Sequence, residues 1–313
     1  MKTLPIAALS FLIPGFFPAN AQQPAGPNSV PIEVLPVQGS LYMLAGAGGN
    51  VTLQVGKDGV LLVDSGLTPM APRVLVEIRK LSKGPIRFIV NTHIHPDHTG
   101  GNEFFAQMDP KDPALPLKVI AHENVLNRMS AANTSTTPLF GLPTDEYFLP
   151  SKDFFFNGEP IILIHEANAH TDGDSIVVFR SSNVVSTGDI FTPDGYPFLD
   201  VERGGGVQGE IAALNNILQI TVPEKTQEGG TYVIPGHGRI CDEADVVEYR
   251  DMVVIIRDRV QDMIKKGMSL EQVKAAKPSR DYDTQFAPAG SFVKPEAFVE
   301  AIYKSLTQKT GGK

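Results

Sequence analysis

The stretch NTHIHPDHTGG, at residues 91–101, constrains this chain more than any other part of its sequence. It places three histidines and an aspartate within six positions, although the whole chain has only seven histidines. The preceding run IRFIV has the composition of a strand. Because side chains alternate along a strand, His93 and His95 are expected to point to the same side. Two imidazoles at one strand end indicate a metal site.

Asp97 and His98 follow Pro96, which breaks the strand and turns the chain. One short loop therefore presents two nitrogens to one metal ion, and an oxygen with a nitrogen to another. Neutral imidazole and carboxylate suit zinc, and three or four such ligands make a site. The remaining ligands are expected from strand ends elsewhere in the chain.

His170, Asp189 and His237 each lie where an apolar run gives way to a turn that contains glycine. Side chains in such positions can point into a common rim. A carboxylate at Asp189 can bridge two cations, because it carries two acceptor oxygens. The predicted ligands are His93, His95 and His170 for one metal ion, Asp97, His98 and His237 for the second, and Asp189 between them.

Short apolar runs at 41–45, 51–55 and 60–63 are separated by turn-forming residues. This pattern predicts an antiparallel meander. An amphipathic helix is predicted over 69–81, because its apolar residues recur at spacings of four, four and three. The preceding segment 22–36 is rich in proline, glutamine and asparagine, and we expect an extended lead-in there.

Strands and helices then alternate in looser form, with a long loop predicted over 130–160. The tail from Asp242 is predicted to be helical, with a capping box at Ser269 and Gln272. Short strands with helices between them indicate an α/β fold with two sheets, or one large sheet, covered by helices. Further strands are predicted at 118–121, 161–164, 175–179, 184–186 and 232–234, and helices at 122–129 and 211–220.

The first residues have the layout of a secretory signal: Lys2, an apolar run over 4–17, and a small residue at Ala21. We therefore predict a cleavable signal peptide over 1–21 and a periplasmic or secreted mature chain over 22–313. No other segment is long and apolar enough to cross a membrane, so no membrane association is expected after cleavage.

The formal net charge is −8, and no basic stripe is visible. Nucleic acid is therefore excluded as the main partner, and a small-molecule substrate is expected. The oligomeric state is left open. Cys241 is the only cysteine, so no disulfide can form within the chain. We expect a small buried thiol there.

HIHPDH matches the HxHxDH signature of the metallo-β-lactamase superfamily, and His170, Asp189 and His237 follow in the order typical of that family. The segment VLLVDSG, which contains Asp64, is similar to a strand and turn that the family carries upstream. The resemblance spans roughly residues 40–240. It implies a four-layer αββα sandwich, formed here by a single hydrolase domain over 22–313 with a helical C-terminal tail.

The resemblance also implies a dinuclear zinc hydrolase, with iron or manganese as alternative metals. Two zinc ions sharing a water would lower its pKa to about 7 and generate hydroxide. This metal-bound hydroxide would open amide or ester bonds of small molecules. Asp97 is the expected catalytic residue, which orients the hydroxide and passes a proton to the leaving group.

Family β-lactamases carry a cysteine or a serine where this chain has Asp189, which resembles the glyoxalase II and lactonase branches. The segment HTDGDS departs from the HTPGH pattern of those branches, and the predicted export disfavours a cytosolic thioester. The best prediction is a β-lactam or lactone ring. A thioesterase of glyoxalase II type and an iron-dependent redox protein remain alternatives, and an idle binding protein is disfavoured.

Two further residues, Tyr196 and Arg203, follow Asp189 in a glycine-rich stretch and are candidate substrate contacts. The segments 130–160 and 192–206 are expected to wall the groove. Asp64 is predicted either to orient a ligand histidine or to cap the following helix. The remaining histidines, His122 and His165, are expected to be structural or to lie at the rim of the site.

Overall fold

Two β-sheets stacked face to face form the centre of the molecule. The computed structural model describes residues 31–46, 48–108, 116–131, 139–226 and 229–308. The predicted signal peptide over 1–21 lies outside these residues. Within them the strands are β1 (Glu33–Gln38), β2 (Leu41–Ala45), β3 (Val51–Gly56), β4 (Gly59–Val63), β5 (Ile86–Val90), β6 (Lys118–His122), β7 (Asp145–Tyr147), β8 (Ser151–Phe156), β9 (Glu159–Glu166), β10 (Asp174–Phe179), β11 (Val184–Gly188) and β12 (Tyr232–Pro235).

Helices cover the outer faces of both sheets and make up the C-terminal part of the chain. They are α1 (Ala71–Leu81), α2 (Pro96–Thr99), α3 (Asn102–Met108), α4 (Glu123–Ala131), α5 (Val207–Ile220), α6 (Glu243–Lys265), α7 (Leu270–Ala276), α8 (Asp283–Phe286) and α9 (Pro295–Thr307). None of the helices described is long and apolar enough to cross a membrane.

The first sheet has seven described strands in the order β1 to β7. Strands β1 to β4 form the antiparallel meander that the turn-forming residues predict. Strands β4 to β7 run parallel. The second sheet has the order β12-β11-β10-β9-β8; it is antiparallel except that β11 and β12 are parallel. Parallel neighbours end at the same edge of a sheet, which brings the loops after β5, β11 and β12 toward one end of the molecule.

Three buried clusters define four layers, which confirms the α/β fold class and the αββα arrangement. Leu61, Val90, Leu163 and Val177 belong to a cluster that fills the space between the two sheets. A second cluster packs α1 and α3 against the outer face of the first sheet. The third packs α5, α6 and α9 against the outer face of the second sheet.

The prediction of a long loop over 130–160 is wrong for most of the residues that the structure describes there. Strands β7 and β8 lie within it, and β9 begins at Glu159. Asn157 and Gly158 join β8 to β9 with φ angles of 52° and 82°, and two left-handed residues are typical of a tight hairpin turn. The dipeptide Asn-Gly between FFF and EPIIL was the sequence signal of this hairpin. Residues 132–138 lie outside the described part.

The predicted extended lead-in over 22–36 also ends in a strand that the sequence patterns did not indicate. Strand β1 pairs antiparallel with β2, and its register shifts between Pro36 and Gln38. A proline is tolerated there because β1 is the edge strand of its sheet and the pairing is irregular at that point.

The C-terminal tail is helical, as predicted. Asp242 caps α6 in a capping box, and the predicted box at Ser269 and Gln272 begins α7. Phe298 and Val293 are buried in the same cluster as the core of α6. The tail is therefore packed against the second sheet and its helices.

Candidate metal centre

Four loops at one end of the two sheets bring the candidate ligands together. The loop after β5 carries the first histidines and enters α2, whose N-cap residue is His95. The backbone N–H of His98 donates to His95 O at 3.0 Å, and this turn brings both imidazoles toward the same space. The other three loops follow β9, β11 and β12 and supply His170, Asp189 and His237.

One group of donors consists of His93, His95, His170 and Asp189, whose ligand atoms lie within 4.8 Å of one another. His170 Nε2 is 2.9 Å from His95 Nδ1. Asp189 Oδ2 lies 3.9 Å from His93 Nε2 and 3.8 Å from His170 Nε2. These separations leave room for one ion between three nitrogens and an oxygen.

The second group consists of Asp97, His98 and His237, also within 4.8 Å. Asp97 Oδ2 lies 3.2 Å from His237 Nε2 and 3.6 Å from His98 Nε2. The other oxygen of Asp189, Oδ1, lies 3.1 Å from His98 Nε2 and 3.5 Å from His237 Nε2. Asp189 therefore faces the first group with Oδ2 and the second with Oδ1, as a bridging carboxylate would.

Hydrogen bonds on the outer side orient His93 and His98. His98 Nδ1 donates to Asp64 Oδ2 at 2.7 Å. Thr92 Oγ1 donates to the same carboxylate at 2.8 Å, so it accepts from His93 Nδ1 at 3.0 Å. Each ring thus directs Nε2 into the site, and in the neutral ring this nitrogen carries the lone pair that binds a metal. Of the two roles predicted for Asp64, this geometry corresponds to orienting a ligand histidine.

His95 and His170 are held in the same way by other partners. His95 Nε2 donates to Asp200 Oδ2 at 2.9 Å, and the Arg203 guanidinium donates to that oxygen at 2.7 Å. His170 Nδ1 donates to the carbonyl of Phe198 at 2.5 Å. Both rings therefore present their other nitrogen to the centre.

A test of fit comes from atoms left without partners. His93 Nε2, His98 Nε2 and Asp189 Oδ1 are buried, and none of them makes a hydrogen bond of acceptable geometry, although His98 Nε2 and Asp189 Oδ1 lie 3.1 Å apart. Buried polar atoms are almost always satisfied, because leaving one unpaired costs about 1–3 kcal/mol. These three face one another within the two donor groups, so a cation would satisfy all of them. The residues present therefore fit a metal.

The pKa values of the ligands follow from burial and from the neighbouring charges. Burial lowers the pKa of His170 to about 4 and lowers that of His93 well below its usual value, so both rings are neutral. Burial opposes the charged form of His98 too, but Asp189 and Asp64 outweigh it and raise its pKa. Asp189 is also buried, yet His98 and His237 hold its pKa well below the usual range. The site therefore keeps Asp189 as a carboxylate.

The GAGGN segment, which the sequence indicated only as a turn, also supports the site. The N–H of Gly49 donates to Asp97 O at 3.1 Å, and a Cβ on Gly49 would lie 2.3 Å from the His98 ring. Asn50 Nδ2 donates to the carbonyls of Pro235 and Gly238, both at 3.0 Å. Asn50 thus fixes the loop on both sides of His237.

A cavity of about 580 Å³ opens beside the ligands His95, Asp97, Asp189 and His237. Its other walls are formed mainly by the segments 192–198 and 291–293, and the residues beyond the ligands are mostly apolar or uncharged. They are Pro96, Thr192, Asp194, Gly195, Tyr196, Phe198, Gly238, Ser291, Phe292 and Val293. None of the described lining residues is a lysine or an arginine.

The predicted walls agree with this lining only in part. The segment 192–206 contributes, but no described residue of 130–160 lines the cavity. Its place is taken by Ser291, Phe292 and Val293, which lie before α9. Sequence patterns missed them because no local motif links that segment to the ligands.

The two candidate substrate contacts occupy different places. Tyr196 is 2% exposed and lines the cavity, but its hydroxyl donates to Asp283 Oδ1 at 2.8 Å, inside the C-terminal helical part. Its ring stacks on Phe298 with centroids 4.9 Å apart. Arg203 does not line the cavity and is bonded to Asp200. Its side chain thus contacts a residue that orients His95.

The histidines outside the two donor groups stack on each other. The rings of His122 and His165 are 3.5 Å apart and nearly parallel, and His165 Nδ1 donates to Asp174 O. Burial lowers the pKa of His122 to about 4. Cys241 is 4% exposed, and burial raises the pKa of its thiol to about 12. It is therefore a buried thiol that stays protonated at neutral pH.

Comparisons with known proteins agree with this geometry. A family model described as the metallo-beta-lactamase superfamily matches residues 45–237. The chain is 31% identical to a linear primary-alkylsulfatase from Pseudomonas sp., over 83 residues that make up 26% of this chain and 16% of the relative.

Solved structures of similar fold include an alkylsulfatase and a metallo-beta-lactamase. The sec-alkylsulfatase Pisa1 from Pseudomonas sp. superimposes with a TM-score of 0.68 at 17% identity, over 87% of this chain and 50% of that one. A metallo-beta-lactamase from Pontibacter korlensis superimposes with a TM-score of 0.56 at 17% identity, over 72% of this chain and 99% of that one. The chain therefore spans about half the length of the first and nearly all of the second.

Proposed function

The chain belongs to the metallo-β-lactamase superfamily; we propose that it is a metal-dependent hydrolase that binds two zinc ions and opens ester and lactone bonds of small apolar molecules. The observation that carries the choice of substrate is the lining of the cavity. Apart from the ligands, its ionisable side chains are those of Asp194 and Tyr196, and no lysine or arginine is among them. An uncharged substrate suits this surface.

Two zinc ions would polarise the carbonyl and lower the pKa of bound water to about 7. Asp97 is the residue we assign to proton transfer. It is about one-third exposed at the cavity, with Oδ2 3.2 Å from His237 Nε2, and its pKa is lowered despite partial burial, so it begins as a base. Asp97 can take up the proton that the bound water releases and return it to the leaving oxygen.

A lactone or ester is favoured over a β-lactam because β-lactam antibiotics carry a carboxylate. Recognition of a carboxylate commonly uses an arginine or a lysine. Arg203 is the first cation after Asp189 in the sequence, and it donates to Asp200 instead of lining the cavity. The prediction of a β-lactam ring therefore ranks below that of a lactone.

Hydrolysis of alkyl sulfate esters is the second candidate. It is favoured by the segment that is 31% identical to a linear primary-alkylsulfatase and by the TM-score of 0.68 with a sec-alkylsulfatase. The apolar walls also suit an alkyl chain. A sulfate ester is an anion, however, and apart from the proposed metal ions the described lining offers it no lysine or arginine.

The test is a substrate panel on the zinc-loaded protein at neutral pH. It contains p-nitrophenyl butanoate, γ-butyrolactone, a chromogenic cephalosporin, octyl sulfate and a glutathione thioester. We expect the highest kcat/KM for the ester and the lactone, and no turnover by Asp97→Ala. A cephalosporin, sulfate or thioester preferred tenfold or more over both would overturn the proposed substrate class.

Metal analysis of protein purified without added metal tests the cofactor. Two equivalents of zinc per chain are expected, and a predominance of iron would favour the alternative of a redox protein. Export through the signal peptide over 1–21, to the periplasm or the medium, is also part of the proposal. The N-terminal residue of the mature protein would be Gln22, which Edman or mass analysis can detect.

A further inference from the structure

We propose that Phe292 and Phe198 form an aromatic cleft that binds the apolar chain of the substrate, so that the enzyme selects esters with a long unbranched chain. This inference rests on the proposed esterase function and deepens it. It assigns substrate selection to a residue, Phe292, that lies outside the region matched by the family model, which ends at residue 237.

The rings form a continuous path outward from the metal ligands. The Phe198 ring lies 5.8 Å from the ring of His95 and 5.8 Å from that of His170. The Phe292 ring is 5.7 Å from that of Phe198, at an angle of 72°. Both phenylalanines line the cavity. A chain attached to an ester held at the ligands would therefore meet Phe198 first and Phe292 second.

Exposure shows that these rings have apolar surface left to bury. Phe292 is 86% exposed and Phe198 is 42% exposed. An aromatic side chain contributes a large area of apolar surface, which gains free energy when a ligand covers it. The two rings are in edge-to-face contact at 72° beside the cavity, so an alkyl chain lying along both rings would cover both.

The segment that carries Phe292 is fixed at both ends. Val293 is 9% exposed and packs in the core of the C-terminal helices. On the other side, Ser291 donates to Pro288 O through its N–H and its hydroxyl, at 3.0 and 2.9 Å. Gly290 has a φ of 96°, which permits this turn.

A further link joins this segment to the loop of Phe198. The N–H of Tyr196 donates to the carbonyl of Phe286 at 3.1 Å, and the Tyr196 ring stacks on Phe298. The two halves of the cleft are thus held against each other by contacts that do not involve the exposed rings. The position of Phe292 is therefore set by the fold rather than by its own packing.

The first experiment measures kcat/KM for p-nitrophenyl esters from acetate to octanoate, below their aggregation limits. In the unmodified protein we expect a rise of about fourfold for each methylene that the cleft buries. In Phe292→Ala this slope should fall by half or more, and Phe292→Leu should restore much of it. Phe155→Ala is the matched control, because Phe155 is 68% exposed but does not line the cavity; it should keep the original slope.

The second experiment detects binding without turnover. The chain contains no tryptophan, so Phe292→Trp introduces a single fluorescent reporter. Titration of the zinc-loaded variant with 1-octanol should shift its emission to shorter wavelength and saturate. Ethanol should leave the emission unchanged, and Phe155→Trp should respond to neither alcohol.

These two readouts separate the cleft from the proposed chemistry. A response of Phe292→Trp to octanol in a protein that hydrolyses no ester would leave the cleft standing and remove the esterase proposal. A chain-length slope in Phe292→Ala equal to that of the unmodified protein would overturn the cleft, and so would a reporter that octanol does not affect.

Discussion

Asp200 Oδ2 lies 2.9 Å from His95 Nε2, on the side of the ring away from the other ligands. His95 donates this hydrogen bond, and its Nδ1 then faces His170 Nε2 at 2.9 Å. Asp200 is 5% exposed, and Arg203 donates to the same oxygen. Although burial opposes its charged form, Arg203 and His95 lower the pKa of Asp200, which therefore stays ionised and fixes the tautomer of His95.

Asp200→Asn is expected to weaken zinc binding. The amide lacks the negative charge that holds the His95 ring N–H and the Arg203 guanidinium, and its NH2 group would face the backbone N–H of Arg203, which donates to Asp200 Oδ1 at 3.1 Å, so His95 is held less firmly. Changing a residue that supports a metal ligand typically costs 10–100-fold in affinity, and we expect a loss in that range. Competition with a chromophoric chelator measures it.

The control for this experiment is Asp145→Asn. Asp145 is also ion-paired, with Lys118 and Lys152, but it lies on β7 and belongs to neither donor group. Its zinc affinity should equal that of the unmodified protein. If Asp200→Asn binds zinc equally well, His95 is oriented by other contacts.

Arg203→Ala distinguishes two roles for this arginine. If Arg203 acts through Asp200, the variant should bind zinc several-fold more weakly, with an effect smaller than that of Asp200→Asn. KM measured at saturating zinc should then be unchanged, because the side chain does not line the cavity. A tenfold rise in KM with unchanged zinc affinity would instead support the contact with substrate predicted from the sequence.

Much of the ligand set could be predicted because each ligand follows a strand and lies in a short segment of unusual composition. The HxHxDH loop supplies four of the seven candidates, and the others follow apolar runs at glycine-containing turns. Parallel neighbours such as β11 and β12 then bring Asp189 and His237 to one edge. This convergence follows from topology and needs no detailed side-chain packing.

The residues that support the ligands were harder to predict. Asp200 is separated from His95 by 105 positions, and Asn50 reaches across 185 to the carbonyl of Pro235. Contacts between residues so far apart leave no periodic pattern in the sequence. Phe292 was missed for the same reason, since its place depends on how the C-terminal helices pack on the loop of Tyr196. The hairpin of β8 and β9 is different, because its Asn-Gly signal was visible.

Gly236→Ala is expected to disrupt the bridging carboxylate. A Cβ at this position would lie 2.0 Å from Asp189 Oδ1, closer than any real contact. The same Cβ would lie 2.7 Å from the carbonyl carbon of Gly188 and 2.9 Å from the backbone nitrogen of Asp189, so the loop that carries Asp189 must shift as well, although the φ of Gly236 is not in the left-handed region. The variant should fold and yet lose at least one equivalent of zinc per chain, as measured by elemental analysis.

Gly195→Ala is the matched control for this prediction. Gly195 also lies beside the site, but a Cβ there would meet no atom within 4 Å. Its zinc content should stay at the level of the unmodified protein. Full zinc content in Gly236→Ala would show that Asp189 has space to move without losing the ions.

The last prediction concerns Glu210, a carboxyl group on α5 that is 0% exposed and has no hydrogen-bond partner on either oxygen. Burial raises its pKa well above the usual value, and the charges of Asp174 and Asp189 raise it further. The folded protein therefore keeps the proton at a pH where the unfolded chain has released it. Stability should fall as pH rises from the unfolded pKa toward the folded one.

Glu210→Gln removes this dependence, so the variant should gain free energy of unfolding relative to the unmodified protein as pH rises from about 5 to 8. The slope of the difference can reach at most about 1.4 kcal/mol per pH unit. Urea unfolding of both zinc-loaded proteins measures this difference in the free energy of unfolding. The pH dependence of zinc release is the same in both proteins and cancels from the difference. Glu300→Gln is the control, since salt bridges lower the pKa of the partly exposed Glu300 to about 2 and it is ionised in both states over this range. A flat difference for Glu210→Gln would mean that the buried group is already charged in the folded protein, with water or a cation beside it.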